Sequence, residues 1–336
     1  MKSCLRAPDR NGYGYFVSGI TGLVYDPIYK EHDPGRYGAS RHPESPARCD
    51  AVLRGVKQQA SIRELVRELA PRAATMDDLL LCHTRDYIKS VSEDVLTGET
   101  SLRTGDTDIC SRSYDVALWA VGGCLVAVDA VISGDVKNAF CVVRPPGHHA
   151  TKDQGMGFCI FNNVALAARY AQKRHGISRV LIVDWDVHHG NGTQDIFYDN
   201  ASVFYFSVHQ WPAYPGTGRA WETGVDDGRG TTMNCPVAAG AGGAEFISAF
   251  KEKLIPAMKI FRPEMVLISS GFDARQGDPI GALNVKDSDY AVLTDIAIKI
   301  AGCYAGGRIV SVLEGGYSFS GLSSAVCAHV TRLAHA

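Results

Sequence analysis

Leu181-Ile-Val-Asp-Trp-Asp-Val-His-His-Gly190 starts as an aliphatic run and turns, within one residue, into a string of carboxylates and imidazoles. The apolar part, residues 179–183, reads as a strand covered on both faces. The polar part reads as the loop beyond that strand. Similar short runs, rich in β-branched and apolar residues, occur at 21–25, 139–143, 202–208, 265–269 and 308–313. Helical periodicity fills the intervals: 46–58, 85–95, 111–133, 163–175, 243–261, 287–305 and 318–333. Asp287 is placed to cap its helix, and Gly134 and Gly176 to end theirs. This alternation predicts an α/β fold, a mostly parallel central sheet with helices on both faces. With no repeat, low-complexity tract or Pro/Ser-rich linker, the expectation is one domain over residues 1–336, preceded within it by an extension at 1–18.

The chain has 336 residues, 46% of them hydrophobic, and a net charge of -2. Nothing in that balance points to nucleic acid or an anionic membrane surface. The ten cysteines are scattered, with no Cys-x-x-Cys pair, so a cysteine zinc site is not expected. Several sit in apolar runs, which suggests a reducing, cytoplasmic setting. The N-terminal stretch lacks the apolar core of a signal peptide. No run of roughly 18 apolar residues is evident, so no membrane-spanning helix is expected. A homo-oligomer is compatible with the sequence.

In parallel sheets, ligand sites gather beyond the C-terminal ends of the strands. Here those ends lead into Arg144-Pro-Pro-Gly-His-His149, Asp184-Trp-Asp-Val-His-His-Gly-Asn191, His209-Gln-Trp-Pro-Ala-Tyr214, Ser270-Gly-Phe-Asp-Ala-Arg275 and Glu314-Gly-Gly-Tyr317. Asp186 and His188, two residues apart, point the same way if the backbone stays extended. A carboxylate and a neutral imidazole suit a borderline divalent ion such as zinc, without excluding iron(II). Asp273 is the natural third ligand, and three protein ligands leave open positions for water and substrate. An isolated Asp-x-His is more often a buried hydrogen-bonded pair. Asp273 and the other polar loops tip the balance towards metal.

His148-His149 follows a stiff Pro-Pro-Gly turn. Two imidazoles facing a metal can divide the work of base and acid in amide hydrolysis. Asp184 and Asn191 are candidate partners for one ring each. An aspartate raises a histidine's pKa more than an asparagine does. The expectation is therefore a cationic His148 on Asp184 and a basic His149 on Asn191. Tyr317 could stabilise a developing oxyanion; a lone tyrosine would more often be packing.

Taken together, these motifs resemble the histone deacetylase superfamily, on the side of the class II enzymes, the bacterial histone deacetylase-like amidohydrolases and the acetylpolyamine amidohydrolases. His42-Pro-Glu-Ser-Pro-Ala-Arg48, Gly155-Met-Gly-Phe-Cys-Ile-Phe-Asn-Asn163 and Gly277-Asp-Pro279 complete the matching segments, in family order. The resemblance implies an arginase/deacetylase-like fold and one catalytic zinc on Asp186, His188 and Asp273. It implies catalytic roles for His148, His149 and Tyr317, and a tunnel for the acyl-lysine stem walled by Gly157, Phe158 and Tyr214. Tyr214 departs from the usual phenylalanine, making that wall more polar. Asn191 stands where class I relatives carry aspartate, and Tyr317 where one vertebrate subgroup has histidine. Asp106 aligns loosely with a rim residue that hydrogen-bonds substrate backbone. Structural potassium is implied at Asp184, Asp186, His188, Ser207 and Val208, and around Phe197 and Val203.

The expected activity is hydrolysis of acyl groups from the ε-amine of lysine. Acetylpolyamines and other small amides are the alternative substrates. Ile280 occupies the place where a polyamine-selective relative has glutamate, which favours the lysine stem; the acidic His32-Asp33 region favours a polyamine. A binuclear manganese hydrolase of the arginase type would need Asp-x-Asp where Asp273-Ala-Arg275 stands. A non-enzymatic acyl-lysine binder would have lost a ligand, a histidine or the tyrosine, and none is lost.

Overall fold

The structure, a computed structural model, describes residues 19–37, 40–57 and 59–336; the extension expected at 1–18 lies outside them. The strands in chain order are β1 (Thr21–Val24), β2 (Arg36–Tyr37), β3 (Ser40–Arg41), β4 (Val66–Leu69), β5 (Asn138–Cys141), β6 (Val180–Asp184), β7 (Val203–Gln210), β8 (Thr232–Val237), β9 (Met265–Ser270) and β10 (Ile309–Leu313). Eight of them form one sheet in the order β4-β1-β5-β10-β9-β6-β7-β8, and β2 and β3 make a separate antiparallel pair. Every pairing in the large sheet is parallel. All its strands therefore end at the same edge. The five loops singled out by their polar residues follow five adjacent strands, β5, β10, β9, β6 and β7.

The central strands β5, β6, β9 and β10 are buried along their whole length. Helices Ser113–Ser133 and Asn163–His175 pack together on the sheet, while Ala47–Lys57, Asp287–Tyr304 and Phe319–Ala334 form a second group. Burial on both faces is why these strands read as unbroken apolar runs rather than alternating ones. The two outer strands carry no such signature. In β4, Val-Arg-Glu-Leu is only partly buried. In β8, Pro236 lacks an N–H donor, which is tolerated because β8 has a neighbour on one side only.

Gly134 and Gly176 end their helices in the left-handed region, at φ 81° and 68°. Asp287 does not cap its helix. Lys286 takes that position in an extended conformation, its N–H donating to Asp289 Oδ2 at 2.8 Å. Asp287 is instead the first helical residue, with its carboxylate on Arg275. The helix expected over 243–261 is interrupted: α-helical Gly243–Ser248 and Ile255–Phe261 flank a π-helical Ala249–Leu254. Pro256 cannot donate to the preceding turn, and a wider turn accommodates that loss. The expectation that no segment is apolar enough to span a membrane also needs correction. Ser113–Ser133 is long and apolar enough by length and composition, but 67% of its most apolar window is buried inside the protein.

Candidate active site

Three of the parallel strands build the floor. Asp184 ends β6, and the next two alternate residues, Asp186 and His188, follow it; Asp273 lies three residues past β9. Their ligand atoms all fall within 4.8 Å of one another. His188 Nδ1 stands 3.2 Å from Asp186 Oδ1 and 3.6 Å from Asp273 Oδ2. Backbone amides orient the carboxylates. Asp186 accepts from His188 N at 2.9 Å and Gly315 N at 2.8 Å, and Asp273 Oδ1 accepts from Val187 N at 2.9 Å.

Asp273 Oδ2 is buried and has no hydrogen-bond partner. A carboxylate oxygen left bare in the interior is costly unless something positive meets it. Burial and the charge of Asp186 push Asp273 up to about 7. A divalent cation among these three groups would displace the proton and supply the missing partner. Gly271 and Gly315 leave the room: a Cβ on Gly271 would collide with Asp186, and one on Gly315 with Asp273. The donor set, the bare oxygen and the glycine cradle fit a metal ion.

The histidine pair enters from the loop after β5. His148 Nδ1 lies 3.0 Å from Asp184 Oδ2, and His149 Nδ1 lies 2.8 Å from Asn191 Oδ1, with the ring centroids 4.0 Å apart. Asn191 turns its amide nitrogen to the His149 carbonyl and Met156 sulfur, so its oxygen faces the ring and receives Nδ1–H. His149 Nε2 is then the basic atom. Burial works against charge on His148, but Asp186 and Asp184 outweigh it and raise that ring to about 10. Burial and the neighbouring His148 and His188 hold His149 well below the usual histidine range. The pairing expected from the sequence is the one the structure builds.

A cavity of about 710 Å³ opens from this floor, lined by His148, His149, His188 and Tyr317 below and by Gly157, Phe158, Tyr214, Asp106 and Ile280 above. Asp184, Asn191, Asp186 and Asp273 stand behind that lining rather than in it. Gly157 takes φ 56°, and a Cβ there would collide with His149. Asp106 ties two walls together, accepting from Gly157 N at 2.8 Å and Tyr214 Oη at 3.0 Å. The Tyr214 ring stands edge-on to His149, 5.2 Å between centroids. Burial pushes the Tyr317 phenol well above its ordinary value, so it keeps its proton and can donate it in a hydrogen bond.

Sequence reasoning missed the groups that hold these side chains. Glu314, fully buried, accepts from Gly147 N at 2.7 Å, His148 N at 3.2 Å and Ser269 Oγ at 2.9 Å, which joins the histidine loop to β9 and β10. Asp278 accepts from Tyr317 N at 2.8 Å, Ser318 N at 3.1 Å and Ile280 N at 3.0 Å. Glu44 bridges Arg144, at 2.6 and 2.7 Å, and Arg48, at 2.8 Å, with all three side chains fully buried. Burial alone would raise Glu44; the two guanidinium groups instead hold it below the usual carboxylate range. Arg48 also donates to the carbonyls of Glu314 and Gly316 and lies over the Tyr317 ring, 4.9 Å from its centroid. The one available signal was charge inside matched motifs whose chemistry gave it no task. Arg275 is paired with Asp287 at 2.6 Å.

The histone deacetylase domain, as a family model, matches residues 42–333. The chain is 38% identical over 288 residues to the histone deacetylase-like amidohydrolase of Pseudomonas aeruginosa, covering 85% of this chain and 74% of that protein. It is 39% identical over 305 residues to the polyamine deacetylase HDAC10 of Homo sapiens, covering 86% of this chain and 44% of that one. The crystal structure of the HDA15 HD domain matches with a TM-score of 0.88 at 36% identity, covering 94% of this chain and 90% of that one.

Proposed function

Since the chain belongs to the histone deacetylase family, we propose that this deacetylase is a zinc-dependent amidohydrolase that removes acyl groups from the ε-amine of lysine side chains. The observation that carries the reading is the floor of the cavity: two carboxylates and an imidazole within 4.8 Å, one carboxylate oxygen bare, beside a paired histidine dyad. Asp186, His188 and Asp273 would hold the ion. Two carboxylates and one imidazole suit zinc and admit iron(II).

A bound divalent ion supplies a Lewis acid for the amide carbonyl and acidifies water. The chain's own groups do the rest. His149 Nε2, kept free of a proton by its setting, takes one from the attacking water. His148, held cationic by Asp184 and Asp186, delivers a proton to the departing amine. Tyr317 donates its phenolic hydrogen to the oxyanion as charge develops. Gly157, Phe158 and Tyr214 enclose the alkyl stem, and Ile280 covers the entrance. Acetate and free amine leave.

The potassium expectation rests on the resemblance. Asp184 and Ser207 are register partners across β6 and β7, so an ion held there would bear on the carboxylate that partners His148. The alternative substrate is an acetylpolyamine; the His32-Asp33 region expected to favour it does not line the cavity. The test is kcat/KM, side by side, for acetyl-lysine peptides and acetylpolyamines on apo-enzyme reconstituted with zinc. Preference for peptides is expected. A strong polyamine preference overturns the lysine reading, and two catalytic ions per chain would overturn the single-metal site.

A further inference from the structure

Two charged side chains line the cavity apart from its histidines, Arg41 and Asp106. They are not equivalent. Asp106 spends both carboxylate oxygens on the cavity's own walls, accepting from Gly157 N and Tyr214 Oη. Another carboxylate on that segment, Asp108, faces His42 Nε2 at 3.6 Å. Arg41 ends β3, is exposed, and has no ion pair among the described residues. Its neighbour His42 packs edge-on against Phe158, 4.8 Å between centroids, and Arg41 and Phe158 line the same cavity. Ile280, also in the lining, is apolar and adds no charge. The entrance therefore offers one cation with no ion-pair partner among the described residues, and one carboxylate whose oxygens are already engaged by neutral donors.

We infer that Arg41 selects acyl-lysine substrates that carry a carboxylate close to the acylated side chain, and disfavours substrates with further positive charge there. This rests on the acyl-lysine reading above. An anion reaching Arg41 gains an attraction that a second ammonium group turns into repulsion. The contact lies at the cavity wall, away from the reacting atoms. It is made equally before and during the reaction, so it lowers KM and leaves kcat alone. The carboxylate has two sources: the α-carboxylate of a C-terminal acyl-lysine, or an Asp or Glu side chain beside an internal one.

The test uses zinc-reconstituted full-length chain and acetyl-lysine peptides that differ only beside the acetyl-lysine: Asp, Gln or Lys. A C-terminal acetyl-lysine is added as free acid and as amide. The anionic member of at least one pair should exceed its neutral or cationic counterpart by about fivefold in kcat/KM, the size of an exposed ion pair. The gain should sit in KM and shrink as salt is raised. Which pair shows it identifies the source of the carboxylate. Arg41→Gln should abolish the preference and Arg41→Glu reverse it, with kcat on the neutral peptide and the melting temperature unchanged. Equal kcat/KM across all peptides, or a preference that survives Arg41→Gln, overturns the inference while the lysine reading stands. No turnover of any acetyl-lysine peptide by an enzyme that cleaves an acetylpolyamine overturns that reading itself.

Discussion

The floor of the cavity and its entrance are built on different principles. At the floor, each carboxylate is fixed by backbone amides: Asp186 by His188 and Gly315, Asp273 by Val187. Those amides come from loops after β6 and β10, so the geometry follows from the register of the sheet. At the entrance, Ile280 and Tyr214 are 37% and 38% exposed, and Arg41 has no ion pair among the described residues. Changing the floor means changing the backbone; changing the entrance means exchanging one side chain. The chemistry is held rigid while selectivity is left adjustable.

The contrast can be broken first at the floor. Asp273→Ala should abolish turnover and bound zinc together, checked by activity and elemental analysis; an active, metal-loaded variant would remove Asp273 from the site. Chelation of the native enzyme should stop turnover reversibly, with zinc restoring it. Tyr317→Phe should keep the metal and lower kcat by about 10²–10³, as loss of an oxyanion donor does elsewhere. Unchanged kcat would take the tyrosine out of the mechanism.

Beneath the entrance, Glu44→Gln should destabilise the fold by about 3–5 kcal/mol, because Arg48 and Arg144 would keep their buried charges with no counter-ion. Denaturant titration measures this; a variant as stable as the parent would show the triad to be dispensable. His83 tests the shell on which the rigid part rests. Its Nε2 accepts from Asn162 N at 3.0 Å, so it must be neutral when folded, and burial lowers it to about 4. The unfolded chain binds that proton below about 6.5, so stability should fall as pH drops from there towards 4. His83→Gln should make that part of the curve shallower, with the other buried histidines His32, His209 and His329 keeping the rest of the slope. The smallest effect belongs to the entrance. Ile280→Glu should improve kcat/KM for acetylpolyamines relative to acetyl-lysine peptides by about fivefold, and kcat on peptides should hold.

How much of this was legible follows the same division. The buried strands β5, β6, β9 and β10 were visible because burial on both faces forces continuous apolar runs. The edge strands β4 and β8 were not, since Arg67, Glu68 and Pro236 occupy positions that a single neighbouring strand permits. The pairs His148–Asp184 and His149–Asn191 could be anticipated from chemistry, because each imidazole needs a partner that sets its tautomer. Glu314 and Asp278 could not, because they act mainly on backbone amides, which leave no trace in residue identity. Arg41 stood one residue before a matched motif and carried no pattern of its own.

By itself, the sequence determined the parallel architecture, the side of the sheet where the polar loops gather and the three residues, Asp186, His188 and Asp273, that converge at the floor. Strand burial and metal coordination each demand particular residue types at particular spacings. The tertiary structure alone decided which carboxylate oxygen stays bare, which buried ions brace the loops, and which charge at the entrance has no ion pair among the described residues. Those depend on distances between segments up to 268 residues apart in the chain, as Arg48 and Gly316 are. No local spacing encodes such distances.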